Sequence, residues 1–152
     1  MAAEQAKRKE VITECDPEAG WRGELLKPGD LLFAGKGGRS QAVLFDQTEE
    51  TLANSLFVVI NTDGKELDPG YLLWFLNSPK AQAYFRANMM GTTVPNITLS
   101  TLKELEVPVP PVAAQKAIAR VHELALREEH ILNELVQQRK ALVEEVLTQV
   151  TN

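Results

Sequence analysis

Hydrophobic and polar positions divide this chain into two regimes that meet at Val107-Pro108-Val109-Pro110-Pro111. Before that junction the apolar runs are short and bounded by turn residues. Leu31-Leu32-Phe33-Ala34 reads as a short buried strand, Ala42-Val43-Leu44-Phe45 as a second strand and Leu56-Phe57-Val58-Val59-Ile60 as the most strand-like run, entered or left through Lys27-Pro28-Gly29-Asp30, Thr48-Glu49-Glu50 and Asn61-Thr62-Asp63-Gly64. Two helices follow with start signals. Asp68 caps the first with Pro69 at its first position, and Ser78 caps the second with Pro79. Tyr71, Trp74 and Phe75 fall at helical spacing within an apolar run, which favours core packing over stacking on nucleic-acid bases. Thr101 with Glu104 predicts a capping box for one short helical turn, and Leu105-Glu106-Val107 a last strand.

Three prolines in four residues then fix an extended segment that cannot be a helix interior or a central strand. Beyond Val112 there is neither glycine nor proline, and the pattern changes to that of one helix. From Ala113 to Val150 it would extend about 57 Å at 1.5 Å per residue. Ile118, Val121, Ala125, Leu132, Leu135, Leu142 and Val146 recur at spacings of three and four, interrupted by Glu128 and Arg139. Leu124, Ile131, Val136 and Val143 widen the stripe. A lone helix has nowhere to bury such a face, and a second copy of the chain is the simplest partner. The expected architecture is α+β: a small mixed domain over residues 1–111, poorly patterned over 1–25, followed by a long helix over 112–152 that pairs as a coiled coil.

Composition narrows the function classes. The chain has 152 residues, 44% hydrophobic and 24% charged, with a net charge of −5, and Cys15 is its one cysteine. Residues 1–112 hold 11 Lys+Arg against 15 Asp+Glu and the remainder 5 against 6, so neither part is basic overall. Any contact with DNA must come from a local cluster. No run reaches the roughly 20 apolar residues of a membrane span, and the N-terminus lacks the apolar core of a signal peptide. With a single cysteine, these features give a cytoplasmic expectation. Lys7-Arg8-Lys9 reads as a solvated face or a frayed start, and Trp21 as a core contact or a surface residue.

No catalytic residue, metal ligand or cofactor is assigned. His122 and His130 stand too far apart to share a metal without other ligands, and Cys15 has no companion of zinc-ligand spacing. Gly35-Lys36-Gly37-Gly38-Arg39-Ser40-Gln41 is not a nucleotide P-loop, because its spacing differs and a strand follows it. It offers something else: glycines that let backbone amides approach a polyanion, Lys36 and Arg39 with no acid between them, and Gln41 to read a base edge. A flexible hairpin with solvated charges accounts for the same residues. Thr92, Thr93 and Asn96 are equally suited to phosphate or base contact and to an ordinary turn. The candidate DNA contacts are therefore Lys36, Gly37, Gly38, Arg39, Ser40, Gln41, Thr92, Thr93 and Asn96.

Four segments in order carry a resemblance: Leu26-Lys-Pro-Gly-Asp-Leu-Leu-Phe33, Asp68-Pro-Gly-Tyr-Leu-Leu-Trp-Phe-Leu76, Gly91-Thr-Thr-Val-Pro-Asn-Ile97, and Leu105-Glu-Val-Pro-Val-Pro-Pro-Val-Ala-Ala-Gln115 with Ile118. Over residues 25–150 the chain resembles the specificity (S) subunit of type I restriction-modification systems. The resemblance implies a non-catalytic target-recognition domain followed by a conserved helix, with double-stranded DNA, a DNA methyltransferase subunit and a restriction subunit as partners. A full subunit of that family carries two such units with their helices packed antiparallel, each unit reading half of a split target. This chain holds one unit, shortened at its N-terminus, with Ala114 where the family usually has an acid. Rebuilding two units would take a homodimer and a palindromic target. The alternative is a truncated interaction module that binds methyltransferase subunits without reading DNA.

Overall fold

The computed structural model describes residues 7–9, 25–36, 40–53, 56–62, 66–91 and 95–151. Trp21, Cys15, Gly37, Gly38, Arg39, Thr92 and Thr93, singled out above, lie outside the described residues. Lys-Pro-Gly-Asp makes the expected turn: Asp30 N–H donates to Lys27 O at 3.0 Å, and Asp30 Oδ2 accepts from Lys27 N–H at 2.7 Å. Gly29 sits at φ +97°, with no neighbour crowding its missing Cβ, so backbone conformation alone requires glycine there.

The turn feeds β2 (Leu31–Ala34), the centre of an antiparallel sheet between β3 (Gln41–Leu44) and β4 (Phe57–Ile60). Leu31 pairs with Leu44 on one side and Ile60 on the other, and Phe33 with Ala42 and Val58. Period-two alternation then sorts the side chains onto two faces. Leu31, Phe33 and Ile60 enter the main core, whereas Val59 joins Leu26, Phe45 and Ala53 in a smaller cluster with Leu32 packed against it.

Helices α1 (Pro69–Asn77) and α2 (Pro79–Asn88) cover the main face. Tyr71, Leu72, Phe75 and Leu76 come from the first and Ala81 and Phe85 from the second, the Phe85 ring lying 5.0 Å from that of Phe33. Both caps are as read from the sequence. Asp68 Oδ1 accepts from Tyr71 N–H at 3.0 Å, and Ser78 ends α1 while its hydroxyl accepts from Ala81 N–H. The next cap is not. Helix α3 (Leu99–Lys103) is capped by Thr98, whose hydroxyl accepts from Thr101 N–H at 3.1 Å, and Thr101 lies buried inside the helix. Thr98 occupies the position one turn ahead of Thr101, so its oxygen reaches the orphan amides first.

The last strand is also displaced from its expected place. β5 (Val107–Val109) runs into the proline segment, and its partner is β1 (Lys7–Lys9), the trio read as a solvated or frayed start. A two-stranded sheet leaves each strand an open edge, so Pro108 can stand in β5 without breaking a central ladder. Its carbonyl oxygen accepts from the Tyr71 hydroxyl at 2.8 Å.

α4 (Val112–Thr151) is one helix of 40 residues. The chain divides into two compact units, Met1–Ala119 and Arg120–Asn152, so the first turns of α4 belong with the domain. Gln115 is fully buried there, and Ile118 packs against the main core. In the second unit the residues from Glu123 to Val150 are all exposed. No helix among the described residues is long and apolar enough to cross a membrane.

Candidate nucleic-acid interface

The two loops proposed from sequence have stems that the fold joins. β2 leaves the sheet through Gly35 and Lys36, and Gly35 O accepts from Ile97 N–H at 2.8 Å. Lys36 faces Asn96 in an antiparallel bridge, and Asn96 bridges in turn to Met90, with Asn96 N–H to Met90 O at 2.8 Å and Met90 N–H to Asn96 O at 3.0 Å. Asn96 thus closes the loop that begins at Gly91 (φ +97°) and ties its base to the start of the glycine loop. The approach is close. A Cβ on Gly35 would stand 3.1 Å from Ile97 O and 3.3 Å from the Phe33 ring, so glycine permits the joint.

Helix α2 anchors both stems. Past its C-terminal end lies Met90, and from its middle the Gln82 amide donates to Ser40 O and to Leu76 O. On the neighbouring strand, Asn77 from α1 grips Ala42 at both backbone groups: Ala42 N–H donates to Asn77 Oδ1 and Asn77 Nδ2 donates to Ala42 O, each at 2.9 Å. The amide occupies the outer edge of β3 where another strand would otherwise pair.

Of the nominated residues, Lys36 and Gln41 are exposed and Asn96 is half-buried. Ser40 is buried, and its hydroxyl has no hydrogen-bond partner among the described residues, which makes it a residue beneath the surface rather than on it. Sequence reasoning passed over Arg86, an exposed cation in the last turn of α2, the helix that ends at the Met90–Asn96 bridge. Its only local signal is a positive charge near a helix C-terminus, which ordinarily reads as dipole compensation. Gln82 and Asn77 were passed over too, because their partners lie far away in sequence.

The arm carries the second candidate surface. Val121, Leu132, Leu135, Leu142 and Val146 are all at least half exposed, and Ala125 is exposed as well. Ile118, counted in the same stripe from its spacing, turns to the domain core instead. The opposite face is charged and satisfied within the helix. Arg120 pairs with Glu123 at 2.7 Å, Arg127 with Glu123 at 3.9 Å, and His130 stands 3.4 Å from Glu134. The hydrogen bond and charge of Arg120 hold the Glu123 carboxyl below the usual carboxylate range.

A family model described as the type I restriction modification DNA specificity domain matches residues 23–140. The chain belongs to that family. Two solved structures share its fold. A chain from a structure addressing complex assembly and conformational transition of the type I R-M system matches with a TM-score of 0.64 at 21% identity, over 81% of this chain and 33% of that one. The type I restriction-modification S subunit from M. genitalium matches with a TM-score of 0.56 at 26% identity, over 82% of this chain and 35% of that one. This specificity domain therefore spans about a third of the length of either. No curated protein matches it.

Proposed function

We propose that this chain is a DNA-reading half-unit of a type I specificity subunit. In this reading the domain contacts one half of a bipartite target, the arm pairs with a second copy, and the assembly directs a DNA methyltransferase to the site without chemistry of its own. The observation that carries the reading is the bridge between Lys36 and Asn96 in a chain of this family. It puts the bases of two loops rich in glycine, cations and small polar residues side by side, so that donors from both can meet one duplex at its phosphates and base edges. With the overall charge at −5, the contact rests on Lys36, Arg39 and Arg86.

The test is footprinting of the chain together with its methyltransferase on a randomised duplex pool across a salt series. The expected result is sequence-dependent protection that weakens with salt, and its loss in the K36E/R39E variant while the complex still assembles. Assembly with no sequence preference in the unaltered protein overturns the reading. The net negative charge favours a second one, in which the chain docks methyltransferase subunits without reading DNA. There K36E/R39E changes nothing, and DNA protection matches that of the methyltransferase alone.

A further inference from the structure

Met90 is 63% exposed at the joint between the two loops. A lone exposed apolar side chain needs no explanation in itself. Its place among its neighbours does. Antiparallel bridges join Met90 to Asn96 and Asn96 to Lys36, so the three residues form one row across the joint. Directly opposite residues in such a pairing share a face, and successive residues alternate between faces. The residues beside them in sequence, Met89, Ile97 and Gly35, mark the inner face. Ile97 belongs to the main core, Met89 packs against it, and a Cβ on Gly35 would meet the Phe33 ring. Met90, Asn96 and Lys36 therefore face outward, and Met90 and Lys36 are exposed there with Asn96 half-buried between them.

We infer that this row reads one T·A base pair across the major groove. Met90 contacts the thymine methyl, Asn96 the N6 and N7 edge of adenine, and Lys36 the phosphate beyond the adenine. The inference rests on the proposed reading of DNA and adds to it a contact residue, Met90, and the base pair it specifies.

Size and order both support this. Facing positions stand about 5 Å apart, so the row spans about 10 Å. That suits a major groove about 12 Å wide and exceeds a minor groove of about 6 Å. Across the major-groove edge of a T·A pair the groups run from thymine methyl to adenine N6 and N7, and then to the backbone of the adenine strand. The row runs in the same order from thioether to amide to ammonium. The asparagine amide can accept from N6–H and donate to N7, methionine packs softly against a methyl, and an ammonium suits a phosphate as a point charge.

The other pairs fit less well. A C·G pair offers Asn96 two acceptors and no donor, and offers Met90 no methyl. An A·T pair in the reverse sense sets the adenine edge under Met90 and the methyl away from it. The row is also fixed before DNA arrives, because Met90 and Asn96 exchange both main-chain hydrogen bonds, at 2.8 and 3.0 Å.

The test uses the chain with its methyltransferase and the duplex it selects from a randomised pool. Uracil in place of thymine removes only the methyl, and 7-deazaadenine in place of adenine removes only N7. At one T·A pair, the first change should weaken binding about 4-fold and the second about 5-fold or more. M90A should abolish the uracil effect at that pair and M90L should retain it, whereas N96A should abolish the 7-deazaadenine effect at the same pair. Met90 is exposed, so M90A should unfold thermally with the unaltered chain. A selected half-site with no uracil-sensitive thymine, or one whose sensitivity survives M90A, overturns this inference and leaves the reading of DNA standing. A complex that selects no sequence overturns both.

Discussion

Gln115 Oε1 accepts the backbone N–H of Asp68 at 2.8 Å, so a side chain on α4 caps the residue that itself caps α1. The same amide donates through Nε2 to Glu66 O at 2.9 Å and Pro110 O at 2.8 Å. One buried side chain thereby satisfies an orphan donor at the start of a helix and two carbonyls, one of them within the proline junction. This ties the junction to the domain more firmly than proline stiffness alone could.

Replacing Gln115 by Leu keeps the volume and removes three part-buried hydrogen bonds, to Asp68 N–H, Glu66 O and Pro110 O, which should cost about 3 kcal/mol. Gln115→Glu cannot donate to the two carbonyls and should be no better at neutral pH. Urea unfolding monitored by tryptophan fluorescence measures both. A change under about 0.5 kcal/mol would remove Gln115 from this role.

Gly70, near the start of α1, leaves room for Ala119: a Cβ there would lie 2.9 Å from the Ala119 Cβ. Gly70→Ala should therefore destabilise by about 1–3 kcal/mol through overpacking, although alanine is the better helix former. Adding Ala119→Gly should recover part of that loss, and thermal unfolding of the double-mutant cycle reads the coupling.

Asn77 both donates to and accepts from Ala42. Asn77→Asp keeps the shape but cannot donate, and a carboxylate would face the Ala42 carbonyl. We expect a loss of about 1–3 kcal/mol and faster amide exchange at Ala42 than at Phe33, on the neighbouring central strand.

Burial raises the Tyr71 pKa above its ordinary 10.0, and its hydroxyl donates to Pro108 O. The folded state holds this proton more tightly than the unfolded chain. Its contribution is complete below about pH 10 and is lost as pH climbs towards the folded value. Tyr71→Phe should lower stability by about 1 kcal/mol near neutral pH and flatten the alkaline decline. Part of the decline should persist, because burial and Glu104 push Tyr84 the same way. Denaturant midpoints from pH 8 to 11 check this.

What could be read in advance was local. Asp68 and Ser78 announce helix starts because a cap and its amide lie three residues apart, and Leu31–Ala34 declares a strand by its own composition. The α3 cap was misplaced because both Thr98 and Thr101 offer a hydroxyl, and choosing between them depends on where the chain enters the helix. Lys7-Arg8-Lys9 carries no strand signal. Its pairing comes from the edge of β5, a segment distant in sequence. Periodicity put Ile118 with Val121, but it has no way to tell a face turned to the domain from one turned to a partner. The loops at Lys36 and Asn96 were nominated separately, for the chemistry of their residues, and their adjacency is a property of the backbone between them.

That joint is built from main-chain atoms of Gly35, Met90, Asn96 and Ile97. A bond between backbones does not depend on which side chains the loops carry, provided position 35 stays glycine. Variation in the residues beyond the stems is thus separated from the cost of folding. Under the proposed function, the domain is a mount on which new reading surfaces can be tried one substitution at a time.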